Sequence, residues 1–245
     1  MTYAAALRRI RAWKKARNPR KWLNLSCLNL ETLPPLPSSL RRLKCDSNLL
    51  TSLNGLPKGL RILKCSATWV VNFKGLPKGL LSIECIDNDS LVSIDDIPDS
   101  VRYIKLESCD YIKKINHLPV NLEKFIFWHA ARLKHISYFP LKLRELSIGE
   151  TSLNIIPILP NSLRMIEFYF TKIDILHNLP DSLETLITNC SYLKKLPPLP
   201  ETLHTLVIDG SGIWDLPISL PKNIQYFICN MSHLNIELRC PLSCA

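Results

Sequence analysis

Covalent or metal chemistry in this chain would have to come from its nine cysteines and six histidines. A thiol becomes a nucleophile when a neighbouring base activates it and a third group orients that base. Cys109 and His129, twenty residues apart, could form such a pair, but no third group accompanies them. Cys240 and Cys244 form a C-x3-C tail with no histidine at a ligand spacing, so a zinc site is not expected. The reading is therefore no catalytic residue, no metal ligand and no cofactor. An odd number of cysteines scattered over apolar positions reads as reduced thiols in a cytosol-like compartment.

The rest of the sequence is organised by a period. A proline frame of the Leu-Pro-x-x-Leu type returns at Pro37, Pro57, Pro77, Pro98, Pro119, Pro140, Pro160, Pro180, Pro200 and Pro221, with gaps of 20 or 21 residues. A period this short means a solenoid in which each unit stacks on its neighbours. In the unit from Leu36, the apolar positions Leu36, Leu40, Leu43, Cys45, Leu49 or Leu50, and Leu53 give L-x-x-L-x-L/C-x-x-N-x-L, the leucine-rich-repeat pattern.

The x-L-x-C/L-x stretch alternates with period two, as a short strand does. The same inward pair recurs as Leu63/Cys65, Ile83/Cys85, Ile104/Leu106, Phe125/Phe127, Leu146/Ile148, Ile166/Phe168, Leu186/Thr188, Leu206/Ile208 and Phe227/Cys229. In-register stacking then predicts a parallel sheet of about eleven strands, counting one near Leu23–Leu25. Three positions after each strand stand Asn48, Thr68, Asn88, Cys109, Ala130, Thr151, Thr171, Ser191, Ser211 and Ser232. Small polar side chains at that point can satisfy buried turn backbone. Twenty residues leave no room for an outer helix, so extended, polyproline-like or irregular connections are expected.

One repeat offers about six apolar side chains worth roughly 1.5–3 kcal/mol each. Ordering its ~20 residues costs about 1–2 kcal/mol apiece. An isolated unit fails and a stack is required. The expected fold is an α/β-class solenoid dominated by short parallel strands. Its expected domains are a basic capping helix over residues 1–22, a leucine-rich-repeat solenoid over 23–232 (a partial leading repeat plus ten full ones) and a tail over 233–245.

The net charge of +10 is local. Residues 1–22 hold Arg8, Arg9, Arg11, Lys14, Lys15, Arg17, Arg20 and Lys21 and no acid. Ala4, Leu7, Ile10, Trp13 and Ala16 form an apolar helical stripe that ends at Asn18-Pro19. It reads as a cap over the first repeat, with membrane docking by its basic face as the alternative. The sheet shows no basic stripe, so no nucleic-acid partner is expected. No apolar segment reads as a Sec signal or membrane span.

The segment Trp22-Leu-Asn-Leu-Ser-Cys-Leu-Asn-Leu-Glu-Thr-Leu-Pro-Pro-Leu-Pro37, followed by short Leu-Pro-x-x-Leu-x-x-Leu repeats, resembles type III-secreted bacterial leucine-rich-repeat effectors of the YopM and IpaH kind. The resemblance covers roughly residues 8–232 and lacks the E3 ubiquitin-ligase domain of the IpaH-like members. The FNIP-repeat proteins share a similar frame, but their Phe-Asn signature is absent. The resemblance implies a secreted virulence effector that acts in the host cytosol on a host protein. An alternative it implies is a substrate-recognition module related to the ligases. Cys85-Ile86-Asp87 matches the C-x-D pattern of the ligase nucleophile, but Cys85 occupies a core-facing strand position, where a thiol is inert.

Alternation sends the other strand residues to the opposite, concave face. There Tyr103, Ile126, Trp128, Met165 and Tyr169 gather with Lys105, Glu167 and Ile187. A solvated sheet face is ordinarily polar, and aromatic clusters on it mark binding surfaces. The first five repeats send five basic and three acidic side chains to this face; the last five send Glu145, Glu167 and Asp209 and no base. These observations imply a non-enzymatic scaffold that binds a protein through this face.

Overall fold

The computed structural model describes residues 2–190, 192–210, 212–213, 220–231 and 234–236. The chain forms two compact units, residues 1–122 and 123–245. Each is a parallel β-solenoid built from the 20- to 21-residue period.

The first unit opens with helix α1 (Thr2–Lys15), followed by strands β1 (Leu23–Asn24), β2 (Arg42–Lys44), β3 (Ile62–Lys64), β4 (Ser82–Ile86) and β5 (Tyr103–Glu107), with a two-residue β6 (Lys114–Ile115) outside the main sheet. Strands β1 to β5 pair in sequence order, all parallel, with Leu23, Leu43, Leu63, Ile83 and Ile104 in one register row. The second unit contains β7 (Lys124–Ala130), β8 (His135–Ile136), β9 (Glu145–Thr151), β10 (Met165–Tyr169), β11 (Thr185–Asn189), β12 (Thr205–Asp209), β13 (Tyr226–Met231) and β14 (Leu234–Ile236). Its main sheet runs β7-β9-β10-β11-β12-β13 in parallel. Strand β14 turns back antiparallel on β13. Among the described residues α1 is the one helix.

Every member of the inward pairs is buried, so the period-two reading of the core holds in each repeat. The frame has a further function. The carbonyl of each proline accepts the amide of the residue three later, from Leu40 to Pro37 (3.0 Å) through Leu122 to Pro119 (3.0 Å) in the first unit. Leu143 to Pro140 (3.0 Å) through Ile224 to Pro221 (3.2 Å) repeat it in the second. The Pro-x-x-Leu string is thus a β-turn. It breaks the extended path expected between strands and delivers a buried Leu, Val or Ile to the core.

Past the strands, Asn48 and Asn88 act as predicted. The Asn48 carboxamide accepts the amides of Leu28 (3.1 Å) and Leu30 (3.0 Å) and donates to the carbonyls of Leu25 and Cys45. Asn88 accepts from Thr68 through both its amide (2.8 Å) and its hydroxyl (2.7 Å). Ser191, Ser211 and Ser232 lie outside the described residues. Cys190 is buried beside Thr171, with 3.0 Å between Sγ and Oγ1.

One regularity has no glycine signature in the sequence. Two residues past the second inward position the backbone is left-handed, at Ser47 (φ 52°), Ala67 (49°), Asp87 (55°) and Ser108 (52°) in the first unit. His129 (51°), Glu150 (51°), Phe170 (48°) and Gly210 (54°) continue it in the second. The turned amides bond to the next strand, Ser47 to Ser66 (2.8 Å) and Phe170 to Asn189 (2.7 Å). This extends the ladder beyond the strand proper and offsets a conformation disfavoured for residues with a Cβ.

The cap is a helix, but its stripe is rephased. Ala6, Ile10 and Trp13 are buried, whereas Ala4 and Ala16 are exposed. Ala16 drops out of the stripe because α1 stops at Lys15, and Arg17 adopts a left-handed φ of 46°, the usual way to close a last turn. Arg9 is not a free surface charge. Its guanidinium donates to the carbonyls of Asn24 (3.2 Å) and Ser26 (2.9 Å), and the Trp13 indole donates to Lys21 O (2.8 Å). Together they hold the helix against β1.

Candidate functional site on the outer strand face

The expected site residues divide between the units. Tyr103 and Lys105 lie on β5 of the first unit, both half-buried, and Lys105 Nζ sits 3.6 Å from Glu107 Oε2. Ile126, Trp128, Met165, Glu167, Tyr169 and Ile187 lie on β7, β10 and β11 of the second, all half-buried on the face opposite the core.

In the second unit the parallel register does the positioning. Trp128 and Tyr169 both stand opposite Gly149, one strand to either side. With no side chain on the middle strand, the two rings meet above it. Their centroids are 5.7 Å apart at 65°, an edge-to-face pair. A Cβ placed on Gly149 would lie 3.4 Å from Tyr169 Cβ and 3.6 Å from Trp128 Cδ1, ordinary contact distances, so the strand leaves room for little more than a methyl beneath the pair.

One register row back, Ile126, Ser147, Glu167 and Ile187 stand side by side. The Trp128 indole Nε1 donates to Ser147 Oγ at 2.7 Å, and Ser147 donates to Glu167 Oε2 at 2.7 Å. The relay fixes the indole and aims the carboxylate. Burial pushes the Tyr169 phenol above its usual pKa, and the charge of Glu167 adds to the effect. The phenol is therefore a neutral donor at physiological pH. Ser147 faces outward, as alternation predicts, but it is buried and the sequence did not point to it as part of the site. Its contact to Trp128 runs diagonally between strands, which alternation alone does not encode.

The expected charge gradient is mostly neutralised in place. Lys64 pairs with Glu84 at 2.6 Å, Lys124 pairs with Glu145, and Lys44 sits 5.1 Å over the Trp22 ring. Among the described residues no cation pairs with Glu167.

Nothing comparable forms around the thiols. Cys45, Cys65, Cys85 and Cys109 are buried. Burial holds the Cys45 and Cys85 thiols well above their usual pKa and pushes Cys109 up to about 12. The carboxamide of Asn88 points at Cys85 Sγ. His129, the imagined base for Cys109, instead sets Nδ1 2.8 Å from Glu150 Oε2. Cys240 and Cys244 lie outside the described residues. Among the described residues no group of three His, Cys, Asp or Glu side chains could hold a metal ion. No helix among them is long and apolar enough to cross a membrane. A depression of about 240 Å3 beside Ile158 and Pro180 has His177 as its one titratable lining group.

The repeat, the parallel register and the capping helix define a leucine-rich-repeat solenoid. No family model matches the sequence, and no curated protein sequence matches it. Among solved structures, the leucine-rich-repeat domain of the type III effector XopL is similar over 93% of this chain and 83% of its own, at 18% identity and a TM-score of 0.52. YopM from Yersinia enterocolitica is 22% identical over 92% of this chain, with a TM-score of 0.43, and this chain spans 63% of its length. YopM from Yersinia pestis is 20% identical over 91% of this chain and 86% of its own, with a TM-score of 0.36. The likeness to the XopL domain shows the fold.

Proposed function

We propose that this protein is a non-enzymatic binding scaffold whose outer strand face on the second unit, centred on Trp128 and Tyr169, engages a protein partner. One observation carries the reading. Two aromatic rings, of the kind that dominate binding energetics, stand on a solvent face rather than in the core: Trp128 is held by a hydrogen-bonded relay to Ser147 and Glu167, and Tyr169 packs edge-on against it. Tyr103 and Lys105 form a separate half-buried patch on the first unit. The resemblance of the repeat frame to secreted bacterial effectors supports a host protein as the partner and the host cytosol as the place of action. The buried, high-pKa thiols support the absence of thiolate catalysis.

The test is capture of a partner from host lysate on immobilised protein, wild type against the Trp128→Ala/Tyr169→Ala double variant. Loss of one specific band in the variant, with folding intact, supports the reading. Capture that survives the double variant moves the site elsewhere. Formation of a thioester with ubiquitin by any of the nine cysteines would overturn the non-enzymatic assignment.

A further inference from the structure

Resting on that reading, we infer that the Trp128–Tyr169–Glu167 cluster is a receptor for an arginine side chain of the partner.

The argument starts from charge. Among the outward strand residues of the second unit, Lys124 is the one base, and Glu145 already pairs with it. Glu167 has a hydroxyl partner, Ser147, and no cationic one among the described residues. A half-buried carboxylate with no counter-ion leaves acceptor capacity unused, because each carboxylate offers about four lone-pair sites. A protein that closes over this face must supply a cation there or leave the charge buried and unpaired, which is strongly unfavourable.

The rings narrow the choice of cation. Trp128 and Tyr169 lie one row from Glu167 and are both half-buried, so each keeps part of its surface in solvent. Aromatic faces attract cations, Trp most strongly. A guanidinium stacks flat on a ring and donates in its own plane to a carboxylate at once. An ammonium is a strongly hydrated point charge and does this less well. Neutral Tyr169 does not compete for Glu167 as an ion, and its phenol remains available to a backbone carbonyl of the incoming segment. Gly149 puts no side chain under the cluster; a Cβ there would touch Tyr169 Cβ and Trp128 Cδ1 at ordinary contact distance, and a longer side chain would compete with the incoming group.

Fixed rings and a fixed acid mean that little ordering is needed when the side chain arrives. The acid is aimed before binding by Ser147, which is in turn held by the indole. The partner segment is therefore expected to present an arginine among apolar residues that can lie against Ile126, Met165 and Ile187.

The experiment uses the full chain and three probes: N-acetyl-arginine amide and its lysine and citrulline counterparts. The readout is the Trp128 indole N–H resonance, identified by its loss in Trp128→Phe. Arginine is expected to shift it saturably. Citrulline, which has the shape without the charge, is expected to bind at least about tenfold more weakly, the size of one exposed-to-buried cation–π contact. Glu167→Gln should bring arginine to the citrulline level, while Glu145→Gln should not. Lysine should fall between. Equal binding of arginine and citrulline, an unchanged Glu167→Gln variant, or no shift with any probe overturns the inference. If partner capture still depends on Trp128 and Tyr169 in that case, the face binds protein by other chemistry. If capture is independent of them, the broader reading fails on its own ground.

Discussion

The Trp128 indole and the Tyr169 phenol meet edge to face, 5.7 Å apart, although two strand spacings separate their backbones. They reach each other because Gly149 on the strand between them has no side chain. The pair is an outcome of three repeats stacked in register, and no one repeat contains it.

Replacing both rings with Ala should cost less folding stability than deleting two core aromatics, which runs about 3–5 kcal/mol each, because both rings are half-buried outside the core. Partner affinity should fall by more than ~2 kcal/mol per ring, as buried Trp and Tyr anchors do. Lys58 and Lys78, exposed in the proline turns, serve as a control pair whose change to Ala should leave affinity intact. Calorimetry with the captured partner reads both effects, and the reverse pattern would place the interface on the turns.

The cap makes a second claim. Trp13 is buried and bonded to Lys21 O, so Trp13→Ala should destabilise by about 3 kcal/mol or more. Removing residues 1–22 should leave the outer edge of β1 open, with aggregation or non-cooperative unfolding as the result. An unchanged denaturation midpoint would show that α1 is an appendage.

Acid stability should depend on Asp95. Burial alone would raise its pKa, but hydrogen bonds from the Asn116 side chain and the His117 and Asn116 amides, with the His117 charge, bring it below its ordinary value. A depressed folded pKa means that the stabilisation is fully present above the unfolded value of about 3.9 and is lost as pH falls through the lower folded value. Asp95→Asn should therefore flatten the stability loss below about pH 4. Identical acid profiles for the two proteins would refute the assignment.

Thiol reactivity offers a fourth check. In a Cys240→Ser/Cys244→Ser background, mild alkylation of the folded protein should label Cys27, the exposed thiol. Cys45, Cys85 and Cys109 should stay unmodified until unfolding, because burial disfavours their thiolates. Mass spectrometry that found Cys85 labelled first would reopen the question of catalysis.

The fifth concerns Thr188, which fills an inward slot where its neighbours carry apolar side chains. Its hydroxyl is buried with no hydrogen-bond partner. Thr188→Val keeps the branched shape and removes that unpaired group, so a gain of about 1 kcal/mol is expected. A loss of stability on chemical denaturation would mean that the hydroxyl has an unrecognised partner.

Much of this was legible because a strand of period two, repeated every 20 or 21 residues, allows one set of inward positions. Leu43/Cys45 and its nine counterparts were readable for that reason, and so were the roles of Asn48 and Asn88. What could not be read depends on direction and register together. The diagonal from Trp128 to Ser147 requires knowing how an indole leans. The pairing of Lys64 with Glu84 requires knowing which rows touch. The helical stripe was misplaced at Ala16 because the helix ends before Asn18-Pro19. The burial of Cys190 beside Thr171 could not be read from the spacing.

The left-handed turn residues bear on mutational tolerance. Cys27, Ser47, Ala67, Asp87, Ser108, His129, Glu150, Phe170 and Gly210 share this backbone conformation and almost no side-chain chemistry. None is β-branched or proline, the types for which that conformation is most costly or unattainable. Backbone shape is what these sites have in common. Acid, base, thiol and ring all occur there, and a β-branched residue or proline would be strained. Most of the repeats thus carry one position at which the backbone is set and the side chain differs widely; the β11 repeat, where Cys190 is buried, does not.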